Sequence, residues 1–287
     1  MASDARSRPE AIREFGVRAA ETARARVPGA PAVFESLERE RLAGSGLLAG
    51  GIAYRFFLWL VPFGLVLAGL GSVWTETDPD GLENAAREFG LGGAAARSAE
   101  SAFHSHEHGR WYLVGAGAVL LVWFGMSAVR ALRVAHAIAW AAPAPKLRNP
   151  LYASLVFAGF VIGIGVVSSG GRWVEHEVGE PVGALVSLAV LGVYLAGSVA
   201  AMDLLPHGAA PWQALLPGVL VLSLGMLVLH VVVMLYLAPK IGRSADLYGA
   251  FGAATVVLLW LYIIARLIVS AAFFNATLWD RKMREAA

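Results

Sequence analysis

Six long apolar stretches, separated by short polar breaks, dominate the pattern of this chain. They cover residues 47–74, 111–140, 151–169, 182–202, 214–238 and 249–279. A helix of about 20 apolar residues matches the roughly 30 Å hydrocarbon core of a bilayer. The pattern therefore predicts an all-α polytopic membrane protein with six transmembrane helices, and it argues against a soluble enzyme with buried helices.

The polar segments divide the chain into three parts. Residues 1–46 form a cytoplasmic amphipathic N-terminal segment, residues 47–280 the six-helix transmembrane domain, and residues 281–287 a cytoplasmic tail. The first part contains two predicted helices, 9–27 and 33–41, and their basic amphipathic character fits either the surface of the inner leaflet or a solvated flank. We expect short helices in the outer loop 75–110 and short loops at 141–150, 203–213 and 239–248.

The distribution of basic residues predicts the orientation. Counted from the sequence, thirteen Lys and Arg lie in the N-terminal segment, the second and fourth loops and the tail, against six in the other loops. Because the side richer in Lys and Arg faces the cytoplasm, both termini are expected there. The localisation that follows is the bacterial inner membrane, with several passes.

Composition removes several classes of function. Apolar residues make up 57% of the chain and charged residues 15%, against roughly 25% charged in soluble domains. The absence of cysteine excludes a disulfide, a thiolate metal site and a thiol nucleophile. The net charge of +2 is too small to indicate nucleic acid as a partner. No P-loop, G-x-S-x-G or H-E-x-x-H motif is present, so we expect neither enzymatic activity nor a cofactor.

Ionisable residues inside the apolar runs are the candidates for function, since a charge in hydrocarbon costs about 2.5–3.5 kcal/mol on insertion scales. Arg55 in the first run either snorkels to the interface or lines a cavity with the kink expected at Pro62. Spacing in the second run places Arg130, Arg133 and His136 near one helix face, as an interfacial anchor or as a stripe that receives an anion.

His230 in the fifth run and Arg266 in the sixth are expected near the middle of the membrane, facing the bundle interior. The sequence shows no obvious buried carboxylate to pair with Arg266. An anionic ligand is therefore a candidate partner for it.

A histidine-rich segment of the outer loop has two interpretations. His104, His106 and His108 alternate, with Glu107 between the last two. An extended loop could bring alternate positions to one metal ion, whereas a polar loop that happens to be rich in histidine needs no metal. We assign no metal site.

Several segments carry short motifs of aromatic, glycine and proline residues. The first run contains Gly51-Ile52-Ala53-Tyr54 followed by Pro62, and the second run ends at Trp140. The motif positions further along are Pro206, Trp212, Pro217, Gly218, Tyr248, Gly249, Trp260, Tyr262 and Asn275. Together these segments resemble the YihY/virulence factor BrkB family of inner-membrane proteins over about residues 35–280, and we interpret the motif residues as structural.

The chain departs from the family pattern at several positions. Trp59 replaces a usual serine, Arg55 an aromatic residue and His136 an asparagine. Phe273 stands where many members carry Glu or Gln, and Arg266 is an additional cation. Any mechanism that relies on the acid at position 273 does not carry over to this chain.

The resemblance implies a six-span inner-membrane fold whose molecular activity is unsettled. Members have been labelled ribonuclease BN, and some have been connected with the handling of envelope lipids. The residues argue against the nuclease, because no cluster of metal-binding carboxylates is visible. Two hypotheses remain.

In the first, an anionic envelope lipid or another anionic substrate is transported through a cavity lined by Arg55, Arg130, Arg133, His136, His230 and Arg266. In the second, the protein has a structural or partner-binding role, and these residues only anchor helices. The expected partners are membrane lipids, including anionic head groups, and not nucleic acid. The sequence does not specify the oligomeric state.

Overall fold

The computed structural model describes residues 29–74, 107–143, 149, 151–152, 154–159, 192, 195–232 and 238–287. Five α-helices are bounded within this part: α1 (Ala30–Leu42), α2 (Ser45–Trp74), α3 (Glu107–Ala139), α4 (Leu216–Val232) and α5 (Ala238–Ala286). A 3₁₀ turn, Trp212–Leu215, precedes α4. No strand occurs among these residues, which confirms the all-α class.

Three helices within the described residues are long and apolar enough to cross a membrane. The qualifying segments are Ser45–Gly64 in α2, Val114–Ala139 in α3 and Ala254–Ala286 in α5. They correspond to the first, second and sixth predicted runs. The predicted helix 9–27, residues 75–106 and most of the third and fourth runs lie outside the described residues, so the six-span count stays a prediction. The last residues of the expected outer loop, 107–110, are helical and belong to α3.

Turn chemistry sets the bounds of α1. Gly29 precedes the helix with a φ of 91°, and a proline follows in the first turn. Gly44 ends the helix at a φ of 64°, a left-handed conformation that only glycine adopts cheaply. The predicted helix 33–41 is therefore confirmed, and it is longer at its N-terminal end.

Helix α5 differs from its prediction. Residues 239–248, expected as a loop, are helical and continue without a break into the apolar run and on through Ala286. The polar residues of this stretch marked a break in hydropathy, but a break in hydropathy does not require a break in the helix. The tail expected at 281–287 is likewise helical to residue 286.

The core joins α2, α3 and α5. Its buried members include many alanines, among them Ala53 of α2, Ala128 and Ala135 of α3 and Ala265 of α5. Small residues allow helix backbones to approach closely where lipid gives no hydrophobic driving force. A second cluster joins α4 to α5 through Met202, Leu215, Val219, Leu222 and Ala271. Together the two clusters make α5 the central helix of the described part.

Candidate functional site

Arg55 lies within the apolar segment of α2, and its guanidinium reaches α3. Its Nε donates to Ser127 Oγ at 3.1 Å, and its Nη1 donates to the Gly51 carbonyl at 2.9 Å. Both partners are neutral oxygens. Among the described residues Arg55 makes no ion pair, so its positive charge is hydrogen-bonded without being neutralised.

Arg266 has the carboxylate partner that the sequence did not reveal. Its Nη1 lies 3.0 Å from Glu40 Oε1, and the Glu40 side chain is only 2% exposed. Ser270 donates a second bond to the same oxygen at 2.7 Å, and Arg266 also donates to Ser45. The expectation that no buried carboxylate pairs with Arg266 is wrong, because α1 carries Glu40 from the polar N-terminal segment into the helix bundle.

The burial of Glu40 was not predicted, because the residues beside it in the sequence are charged. It lies in the charged run Glu38-Arg39-Glu40-Arg41, which is typical of a solvated helix face. One feature of the sequence could have indicated its burial. Glu40 follows Ala32 and Ser36 at intervals of four residues, so the three lie on one helix face, and Ala32 and Ser36 are small and buried. A stripe of small residues ending in an acid lets a helix approach closely and insert the carboxylate.

The stripe predicted on α3 divides into three environments. Arg130 is exposed, Arg133 is half-buried and His136 is buried. His136 Nδ1 lies 3.0 Å from the Leu132 carbonyl, which can only accept, so Nδ1 carries the proton. Its Nε2 is buried and has no hydrogen-bond partner among the described residues. His136 therefore belongs to the core, and the three residues do not form one anion-binding face.

Arg133 lies beside a shallow depression at the end of α3. The depression has a volume of about 360 Å³ and is also lined by Ala142, Pro143 and residues 204–208, including Pro206 and His207. Trp140 contacts His207 edge-on, with ring centroids 6.3 Å apart. This end of the bundle brings together the end of α3, the loop before the 3₁₀ turn and the start of α4.

The candidate cations do not surround a single cavity in the described part of the chain. Arg55 bridges α2 and α3, Arg266 bridges α5 and α1, and Arg133 faces the depression. His230 lies in α4, but its side chain is outside the described set. Its predicted inward orientation stays a prediction.

The motif residues include one buried polar junction. Asn275 of α5 is 1% exposed and bonds to Gly218 and to Leu215. A Cβ added at Gly218 would lie 2.5 Å from the Ala271 carbonyl oxygen. The position therefore requires glycine for close helix approach.

The remaining motif residues are spread over different environments. Pro62 is fully buried, whereas Tyr54 and Trp212 are more than half exposed. Trp260 and Tyr262 are partly buried against the core. Pro206 and Pro217 are half-buried, and the surroundings of Tyr248 and Gly249 lie outside the described set.

The histidine-rich segment considered for a metal site lies mostly outside the described residues. Among them no group of three or more His, Asp or Glu side chains is close enough to hold an ion. His104 and His106 and the side chain of His108 fall outside this part of the chain, so the absence of a metal site stays a prediction.

The all-helical fold and its apolar helices fit a membrane protein. The model of the family described as Virulence factor BrkB matches residues 37–287, and the chain belongs to this family. The resemblance inferred from the motif residues is confirmed. Comparison with curated proteins and with solved structures finds no match.

Proposed function

We propose that the protein is a multi-pass protein of the bacterial inner membrane that binds an anionic envelope lipid and moves it between leaflets. The observation that carries the proposal is Arg55, a cation inside an apolar helix whose partners in the described structure are both neutral. Such a charge is expensive in a bilayer and is a candidate for function by default.

The chemistry of Arg55 suits an anionic head group. A guanidinium has five N–H donors in a planar fork, and it binds phosphate or carboxylate in a bidentate manner. Among the described residues its two hydrogen bonds use Nε and Nη1, and Nη2 has none there and can donate to a ligand. A lipid phosphate would supply the negative charge that Ser127 and the Gly51 carbonyl do not.

The same proposal includes both termini in the cytoplasm. It rests on the basic asymmetry of the sequence and on the meeting of α1, the end of α3, the start of α4 and the end of α5 at one end of the bundle. Reporter fusions at residue 287 and within residues 75–110 test it. A cytoplasmic signal from the second fusion would contradict the topology.

Proteoliposomes containing fluorescent phosphatidylglycerol test the lipid function. Dithionite bleaches only the outer leaflet, so loss of the protected fraction measures translocation. We expect Arg55→Gln to slow this loss at least about tenfold, while Lys282→Gln, at an exposed position outside the ion pairs of the bundle, leaves it unchanged. Equal rates for the wild type, Arg55→Gln and protein-free liposomes would contradict translocation.

A structural role is the second candidate, and the ion pair of Arg266 with Glu40 favours it. This arginine neutralises an internal carboxylate and joins two helices, which is the behaviour of an anchor. We also infer that the chain has no enzymatic activity. RNA cleavage by the purified protein that is lost on substitution of His104 or His106 would contradict that inference.

A further inference from the structure

The described contacts of helix α1 with the bundle are mostly polar. Val33, Leu37 and Leu42 are 44%, 51% and 77% exposed. The buried residues of α1 are Ala30, Ala32, Ser36 and Glu40, which are small or polar. Hydrophobic burial grows with apolar area, so these four residues contribute little of it, and the half-buried Phe34 adds the aromatic part of the contact.

Ion pairs with α5 supply the attachment instead. Arg39 Nη1 lies 2.7 Å from Asp280 Oδ2, and Arg284 Nη2 lies 2.6 Å from Glu35 Oε1. Deeper in the bundle, Glu40 binds Arg266 and Ser270. Later residues of α1 therefore meet earlier residues of α5, and the two helices run antiparallel.

The deepest of these contacts is the one that solvent screens least. Asp280 and Arg284 are 48% and 63% exposed at their side chains, whereas Glu40 is 2% exposed. Exposed pairs are screened by water and salt, and most contribute little. The buried Glu40 carboxylate escapes most of this screening and is bonded to both Arg266 and Ser270, so the attachment of α1 depends mainly on Glu40.

The connection between α1 and α2 has the geometry of a hinge. Only Ala43 and Gly44 separate the two helices. Gly44 has a φ of 64°, and a Cβ added there would meet nothing within 4 Å. Glycine is present for its conformation and not for lack of space. Its N–H donates to the Arg41 carbonyl and its carbonyl accepts from Leu47, so the backbone bonds at this position, and not a packed side chain, hold α1 in its orientation.

We propose that α1 is a gate over Arg266, latched by Glu40 and hinged at Gly44. In the closed arrangement, which the structure describes, the Glu40 carboxylate is paired with the Arg266 guanidinium. When α1 swings away, Arg266 loses this partner and offers its guanidinium to a phosphate or carboxylate. The contacts of α1 support the latch by themselves. The further statement that the latch controls entry of an anionic lipid rests on the proposed function.

Thiol labelling tests the latch directly, because the chain has no cysteine. Ser36 lies on the buried face of α1 and is 5% exposed, so Ser36→Cys should react slowly with a water-soluble maleimide. Adding Glu40→Gln should accelerate the reaction at least about tenfold by releasing the helix. Adding Glu38→Gln, on the exposed face of the same helix, should leave it slow.

A second cysteine separates release of α1 from loss of the fold. Ser198, 4% exposed, lies outside α1, and Ser198→Cys should stay protected when Glu40→Gln is added. Continued protection of Ser36→Cys beside Glu40→Gln would overturn the latch, as would rapid labelling of both cysteines. The assay contains no lipid substrate, so its failure is distinguishable from a failure of lipid translocation.

Discussion

Asn275 of α5 caps the start of α4. Its Oδ1 accepts a hydrogen bond from the Gly218 backbone N–H at 2.6 Å, and its Nδ2 donates to the Leu215 carbonyl at 3.0 Å. The first N–H groups of a helix have no partner within it, and here a distant side chain supplies one. The contact fixes α4 against the central helix.

Asn275→Ala should lower the free energy of unfolding by about 1–3 kcal/mol for each buried backbone group that loses its partner. Thermal unfolding in detergent measures the change. Gln213→Ala, at an exposed position of the adjacent 3₁₀ turn, is the control and should be close to neutral. A similar loss of unfolding free energy in both variants would show that Asn275 does not stabilise the protein through these two hydrogen bonds.

Gly218→Ala should destabilise the protein by about 1–3 kcal/mol, as overpacking does. The new Cβ would lie 2.6 Å from Asn275 Cγ and 2.5 Å from the Ala271 carbonyl oxygen. Gly50→Ala is the matched control, because a Cβ there meets nothing within 4 Å. In a helix interior, that substitution should stabilise by up to about 1 kcal/mol. If thermal unfolding shows that both substitutions change the stability in the same direction, this account of the packing at Gly218 is contradicted.

Substituting Arg266 and substituting Glu40 should lower the free energy of unfolding by different amounts. Arg266→Gln leaves a carboxylate that is 2% exposed and should cost up to about 3–5 kcal/mol. Glu40→Gln leaves an arginine that is 35% exposed and partly hydrated, so it should cost less. A double-mutant cycle by chemical unfolding should show that the double variant loses less than the sum of the single variants. Additive losses would contradict the pairing.

Glu35 links stability to pH. The hydrogen bond from Arg284, and the positive charges of Arg284, Arg281 and Arg39, lower the pKa of this carboxyl below its ordinary value of 4.5. A lowered folded-state pKa stabilises the fold above the ordinary value, and this contribution disappears as the pH falls through the lowered one. Glu35→Gln should therefore be less stable than the wild type at pH 7 and converge with it in acid. A constant difference across this range would contradict the linkage.

Hydropathy predicted the described helices well and their contacts poorly. The runs 47–74 and 111–140 correspond within a few residues to Ser45–Trp74 and Glu107–Ala139. A membrane-spanning helix needs an apolar run as long as the bilayer is thick, and such a run is visible in the sequence itself. The partner of Arg266 was not predictable in this way. It depends on how α1 is rotated and how closely it approaches α5, and the period of apolar residues does not encode either.

The candidate site was predicted in the same partial way. The cost of charge in hydrocarbon identified Arg55 and Arg266 as residues that need partners. It could not distinguish a residue with neutral partners from one with a carboxylate. That distinction comes from Ser127 and Glu40, and it favours Arg55 over Arg266 as the proposed site of an anionic ligand.

An experimental structure in nanodiscs of anionic lipid is the most direct test of the central claim, that Arg55 holds an anionic head group. We predict density for a lipid phosphate within hydrogen-bonding distance of the Arg55 guanidinium, beside Ser127, and its loss in Arg55→Gln. A carboxylate of the chain paired with Arg55, or water alone around it in the anionic bilayer, would contradict the account.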